Sequence, residues 1–204
     1  MQHLTTADYT TVPWKNGLGT TQQLASDPTV SDYSKSVDFQ WRISIADMVE
    51  NTDFSIFPSV DRVLTVIDGM GVKLAIGGSA EPLSCMPFKP ISFSGDEACF
   101  GKLLDGPVKN FNVMCNRKLA EAKVHILEAP CTLLLTGGVN FFYVPLGCGP
   151  TIFNDGQAMI KVAGGDSVMM CSTNGCDLAV FPESSMLTVK FLHVCITMKT
   201  SGVG

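Results

Sequence analysis

Short apolar, β-branched runs recur along this chain, each closed off by glycine, proline, aspartate or asparagine, and that rhythm leaves few folds open. The runs are Val63–Ile67, Val72–Ile76, Lys123–Leu127, Thr132–Thr136, Asn140–Val144 and Ser185–Phe191. Side chains branched at Cβ suit a pleated surface better than a helix, so the pattern predicts an all-β sandwich or barrel. Asp68-Gly-Met-Gly71, lying between two runs, predicts a hairpin turn, and Pro90–Asp96 predicts a strand running into a turn. The best helical segment, Asn116–Lys123, is short and uncapped, and the valine-rich residues after it favour a strand. Ser94-Gly95-Asp96 is echoed by Gly164-Gly165-Asp166, a weak sign of internal duplication. The expected division is two stacked β modules, 1–118 and 119–204, with no flexible linker.

The chain has 204 residues, 46% hydrophobic and 16% charged, enough apolar material for one large core or two small ones. A net charge of −5 and a pI near 5.1, with no basic run, argue against a nucleic-acid partner, because neutralising phosphates needs clustered Lys and Arg. No stretch reaches the length of a membrane span, and the first residues lack the cationic and apolar parts of a secretion signal. A cytoplasmic protein is expected. Eight cysteines are scattered with no Cys-x-x-Cys pair and read as reduced, buried thiols. The three histidines, His3, His125 and His193, are far apart in sequence, so no metal site and no cofactor are expected, and His125 and His193 read as satisfied histidines.

Polar residues set within apolar strands mark the candidate site. Val12–Thr21 holds Trp14, Lys15, Asn16, Gly17 and Gly19 in one turn, which brings a cation, an amide and close backbone approach together. In 39–47, alternation puts Arg42 and Ser44 on one face, with Trp41, Ile43 and Ile45 on the other. An inward arginine needs an anion, either a ligand carboxylate or Asp47, Asp61 or Asp96. Asp61 and Arg62 are neighbours, so only one of them looks inward, and Arg62 is expected as a structural or rim cation. Asn110 and Asn112 alternate with Phe111 and Val113 and share a face. The expected ligand-binding set is Lys15, Asn16, Arg42, Ser44, Asp61, Arg62 and Asn112. No catalytic residue is assigned.

Pro13-Trp-Lys-Asn-Gly-Leu-Gly-Thr-Thr21, Trp41–Ala46, Phe54–Arg62, Phe93-Ser-Gly-Asp96 and Gly106–Met114 follow one another over the first 120 residues or so. In that order they resemble the HutD/Ves family of the cupin superfamily. The resemblance implies a cupin-type double β-barrel, a bicupin, encoded beside histidine-utilisation genes. It also implies a regulatory or housekeeping protein that binds a small carboxylate such as formylglutamate or urocanate. This chain departs from the family at Leu18, where a glycine is usual, at Asn110, where an aspartate is usual, and at Cys115-Asn116-Arg117, which keeps one cation where two are usual.

Three functions stay open. One is a metal-free cupin holding a small anion near Lys15, Arg42 and Asn112. Another is an isomerase or hydrolase using Asp61, Asp96, His125 or Tyr143 as acid or base. The third is a homo-oligomeric interaction module, with a homodimer as its simplest form, in which the barrel is filled.

Overall fold

Five of the six runs become strands, with ends shifted in most, while of the described residues in Ser185–Phe191 only Val189–Phe191 is strand, the start of a longer one. The computed structural model describes residues 1–14, 19–28, 39–79, 81–172, 175–185 and 187–199. In chain order the strands are β1 (Gln2–Leu4), β2 (Thr10–Pro13), β3 (Gly19–Asp27), β4 (Trp41–Met48), β5 (Thr52–Phe54), β6 (Val60–Asp68), β7 (Val72–Ile76), β8 (Leu83–Cys85), β9 (Ile91–Ser94), β10 (Cys99–Leu103) and β11 (Val108–Asn116). They continue with β12 (Ala120–Ala129), β13 (Cys131–Leu135), β14 (Gly138–Tyr143), β15 (Thr151–Asn154), β16 (Met159–Val162), β17 (Ser167–Ser172), β18 (Cys176–Pro182) and β19 (Val189–Met198). No helix among the described residues is long and apolar enough to cross a membrane.

The chain forms two compact units. One comprises Tyr9–Ala122 with Lys199, and the other Met1–Asp8 with Lys123–Met198. The first eight residues sit with the later strands because β1 pairs antiparallel with β17, Gln2 opposite Met169. Asp166 fastens this arrangement: its carboxylate accepts the Thr6 N–H at 3.0 Å and lies 3.2 Å from His3 Nε2.

In the Tyr9–Ala122 unit, a six-stranded sheet in the order β2-β3-β4-β11-β6-β9 faces a four-stranded sheet, β5-β10-β7-β8. Met48, Leu64, Val66 and Val108 from the first meet Val72, Leu74, Cys85 and Cys99 from the second in one apolar cluster. The space between these sheets is the unit's lumen. In the other unit β1-β17-β14-β19-β12 faces β13-β18-β15-β16 in the same way. There the lumen is filled: Phe142 lies 5.3 Å from Phe153 and 6.3 Å from Phe191, within a cluster that includes Leu135, Val168 and Leu178.

One local expectation changes and another, the doubt over a helix at Asn116–Lys123, is met. Asp68–Gly71 joins β6 to β7, but these strands do not pair with each other. β6 pairs with β11 and β9, while β7 pairs with β10 and β8, so the segment carries the chain from one sheet to the facing one. Gly69 and Gly71, both at positive φ, make that crossing, with the Asp68 carboxylate accepting the Gly69 N–H. Asn116–Lys123 is a turn followed by the start of β12, closed by the Leu119 N–H on the Asn116 carbonyl. The Gly-Asp echo is structural as well. Gly95 N–H bonds Val60 O and Gly165 N–H bonds Val144 O, while Asp96 and Asp166 each accept an N–H from a distant segment.

All eight cysteines are free; Cys85, Cys99 and Cys115 are buried, as expected, but Cys171 is exposed. Burial pushes the Cys115 thiol up to about 12, with Asp61 and Glu121 adding to the rise.

Candidate functional site

Cross-strand register stacks the polar residues of the six-stranded sheet in rows. Arg42 on β4 lies opposite Met114 on β11, which lies opposite Arg62 on β6, and Arg62 pairs in turn with Phe93 on β9. One row along, Gln23, Ser44, Asn112 and Leu64 are opposite one another; the next row holds Thr21, Ala46, Asn110 and Val66. Leu64 and Val66 belong to the lumen core, so side chains in register with them share that face. Arg42, Arg62, Ser44, Asn110, Asn112 and Gln23 therefore line one lumen.

Arg62 is inside, only 4% exposed, so of the two places expected for it, structural or rim, the rim is excluded. Asp61 takes the outer face because adjacent residues of a strand point oppositely. Asp61 is exposed there and accepts Arg117 Nε and Nη2 at 2.9 and 2.7 Å. The other acids considered as arginine partners are also engaged elsewhere. Asp96 accepts Arg117 Nη1 at 2.6 Å, and Asp47 holds Lys109 and the Thr20 hydroxyl.

Aromatic rings surround the Arg62 guanidinium instead: its carbon lies 5.1 Å from the Phe54 and Phe93 centroids and 5.8 Å from Phe57. Nη1 reaches the Ser55 carbonyl at 3.5 Å, and the buried Nε meets no hydrogen-bond acceptor among the described residues. Burial, with a smaller repulsion from Arg42, brings its pKa down to about 10, so it remains a cation at neutral pH. Half-buried Arg42 lies 5.3 Å from the Phe39 centroid and 5.5 Å from that of Phe57, and its Nη2 is 3.2 Å from the Met114 sulfur. Both cations thus share the Phe57 ring.

The amide rows add buried groups of both kinds. Asn110 Nδ2, Asn112 Oδ1 and Gln23 Oε1 meet no partner among the described residues, while Gln23 Nε2 donates to Ser26 at 3.1 Å. A buried polar group left so costs about 1–3 kcal/mol, which a guest with matching donors and acceptors would offset. A cleft of about 520 Å³, lined by Pro13, Gly19, Thr20, Asp47, Val108 and Lys109, opens where the rows reach their Gly19–Met48–Val108 end. Lys15 and Asn16 lie outside the described residues. Trp14 packs against the lumen cluster and donates its Nε1–H to Thr21 at 2.8 Å.

Sequence reasoning paired Arg42 with Ser44 on one face and Asn110 with Asn112 on another; the register places both pairs on the same one. That reasoning missed Gln23, Met114 and the aromatic set Phe54, Phe57 and Phe93, for which the only signal was phenylalanines flanking two polar segments. Among the described residues no group of three or more His, Cys, Asp or Glu side chains converges as metal ligands would. His193 is a satisfied histidine, with Nε2 2.9 Å from Asn140 Oδ1 and its ring stacked 4.4 Å from Phe142, whereas His125 is exposed.

Two facing-sheet units, one with a cationic lumen and one filled, define a cupin-like protein of the bicupin kind. The fold is shared with a cupin conserved-barrel protein from Leptotrichia buccalis, at a TM-score of 0.57 and 10% identity over 91% of this chain and 92% of that one. The HutD family model matches residues 6–188, and the chain belongs to that family. It is 38% identical over 116 residues to an uncharacterized 21.2 kDa protein in the hutC 3′ region of Pseudomonas putida, covering 56% of this chain and 57% of that protein. It is 35% identical over 120 residues to Protein Ves of Cronobacter sakazakii, covering 58% and 62%. These matches span less than two thirds of the curated relatives' length. The structure of HutD from Pseudomonas fluorescens SBW25, described as a formate condition, superposes at a TM-score of 0.80 with 24% identity, covering 98% and 99%.

Proposed function

We propose that the chain is a metal-free, HutD-type binding protein that takes a small carboxylate into the lumen of its Tyr9–Ala122 unit and serves a regulatory or housekeeping role in histidine utilisation. The observation that carries this reading is the pair of guanidinium groups facing one lumen, with Arg62 buried against rings and its Nε without an acceptor among the described residues. A planar cation in a desolvated site favours a planar anion, and a carboxylate offers the oxygens that Nε lacks. The amides of Asn110, Asn112 and Gln23 suit the polar remainder of such an acid. The P. putida relative's place in the hutC 3′ region supports the pathway. Formylglutamate and urocanate are the first candidates.

The test is thermal stability against formylglutamate, urocanate, glutamate, formate and neutral sugars, with and without EDTA. A ligand present at a hundred times its dissociation constant stabilises by about 2.7 kcal/mol. The expected result is a selective, EDTA-insensitive rise with one acid. A flat response to every acid refutes the reading, and a loss of stability in EDTA refutes its metal-free part.

A further inference from the structure

Two like charges facing one space repel, and something must hold them at the same place. Phe57 is the ring common to both: the Arg42 and Arg62 guanidinium carbons lie 5.5 and 5.8 Å from its centroid. An aromatic face attracts a cation, most strongly where water is excluded, so one shared ring can set the spacing of two guanidinium groups that also rest on rings of their own, Arg42 on Phe39 and Arg62 on Phe54 and Phe93.

Phe57 sits in the turn between β5 and β6, and that turn is fastened from outside. Phe57 N–H bonds the Gly95 carbonyl at 2.8 Å, and Gly95 N–H bonds the Val60 carbonyl at 2.7 Å. A Cβ on Gly95 would lie 2.9 Å from the carbonyl oxygens of both Phe57 and Val60, so the two segments touch backbone to backbone. Asp96 Oδ1 accepts the N–H of Ser59, which holds a positive φ of 62°, and Asp96 Oδ2 is gripped by Arg117 Nη1 and the Ser94 hydroxyl. Arg117 also binds Asp61 and donates to the Val60 carbonyl. An exposed network on the outer face thus fixes the turn that carries the lumen ring.

We infer that Phe57 is the positioning residue of the carboxylate site, holding Arg42 and Arg62 towards one anion, and that the Arg117–Asp96–Ser59 clamp sets it from outside the lumen. The inference rests on the carboxylate reading for its ligand, but not for its geometry. Asp96 and Arg117 act at a distance, through backbone, on groups that meet the guest.

The test follows the Nε–Hε resonances of Arg42 and Arg62 in the ligand-free protein by ¹⁵N NMR, where Phe57's ring current displaces both. Phe57→Leu is expected to move both resonances, Phe57→Tyr to restore them, and Asp96→Ala to move both with the ring intact. Formate titrated into these proteins is expected to bind Phe57→Leu and Asp96→Ala at least about tenfold more weakly than wild type or Phe57→Tyr. Arginine resonances that stay in place in Phe57→Leu, or in Asp96→Ala should Phe57→Leu not fold, overturn the inference. So does unchanged formate affinity in both variants. Formate that leaves the wild-type resonances unmoved refutes the carboxylate reading alone, since the ligand-free spectra still decide the positioning role.

Discussion

Arg62 concentrates the chemistry of the lumen into one side chain, and its environment says what replacing it would do. A buried cation is costly to solvate by rings alone, and an apolar residue of similar length removes that cost. Arg62→Met is expected to leave the fold intact, from neutral to about 2 kcal/mol more stable in thermal or urea unfolding, while the ligand-induced shift disappears. Unfolding instead would mean that the guanidinium is needed for structure. The residue also marks where sequence reading stopped. Alternation states that Asp61 and Arg62 point oppositely but not which one is inside, and hydropathy favours neither. The decision came from Phe54 and Phe57 on one segment and Phe93 on another, which meet around Arg62 only in the folded unit.

Among the strands, existence was legible and pairing was not. β7 coincides with the run read from sequence, and β6 and β12 contain theirs, because β-branched clusters bounded by turn residues are a local signal. The central strands lose the two-residue period, however, since β4, β6 and β11 are buried on both faces: Ile43 and Ser44 are both hidden, as are Val63 and Leu64. Without that period nothing local names the inner face, and Asp68–Gly71 passes for a hairpin. β10 offers a test of how tightly the lumen wall is built. A Cβ at Gly101 would lie 2.7 Å from Phe54 Cε2 and 2.9 Å from Met48 Cε. Gly101→Ala is expected to cost about 1–3 kcal/mol and, by pushing Phe54 off Arg62, to weaken carboxylate binding as well. Denaturant titration and the ligand-shift assay read the two effects separately.

For the whole molecule, the two lumens differ in content. One is lined by guanidinium and amide groups, the other packed by Phe142, Phe153 and Phe191. Calorimetry with the active acid is expected to give one site per chain; two equivalent sites would refute the assignment of binding to the Tyr9–Ala122 unit. The filled unit instead carries a pH response. Burial, reinforced by His125, lowers the His193 pKa to about 4, below an ordinary imidazole's value of about 6.5. The unfolded chain therefore takes up this proton first, so stability is full above about pH 6.5 and falls as pH drops towards 4. His193→Gln is expected to flatten the thermal midpoint over that window; an unchanged slope would assign the response to other groups.

The pairing of β1 with β17 has a consequence for how the chain is made. His3 and Asp166 meet across 163 residues of sequence. At roughly 5–20 residues per second, the ribosome needs about 8–30 s to deliver the second partner after the first. During that interval Tyr9–Ala122 can close, while β1 still waits for β17. A strand made well before its partner thus settles late.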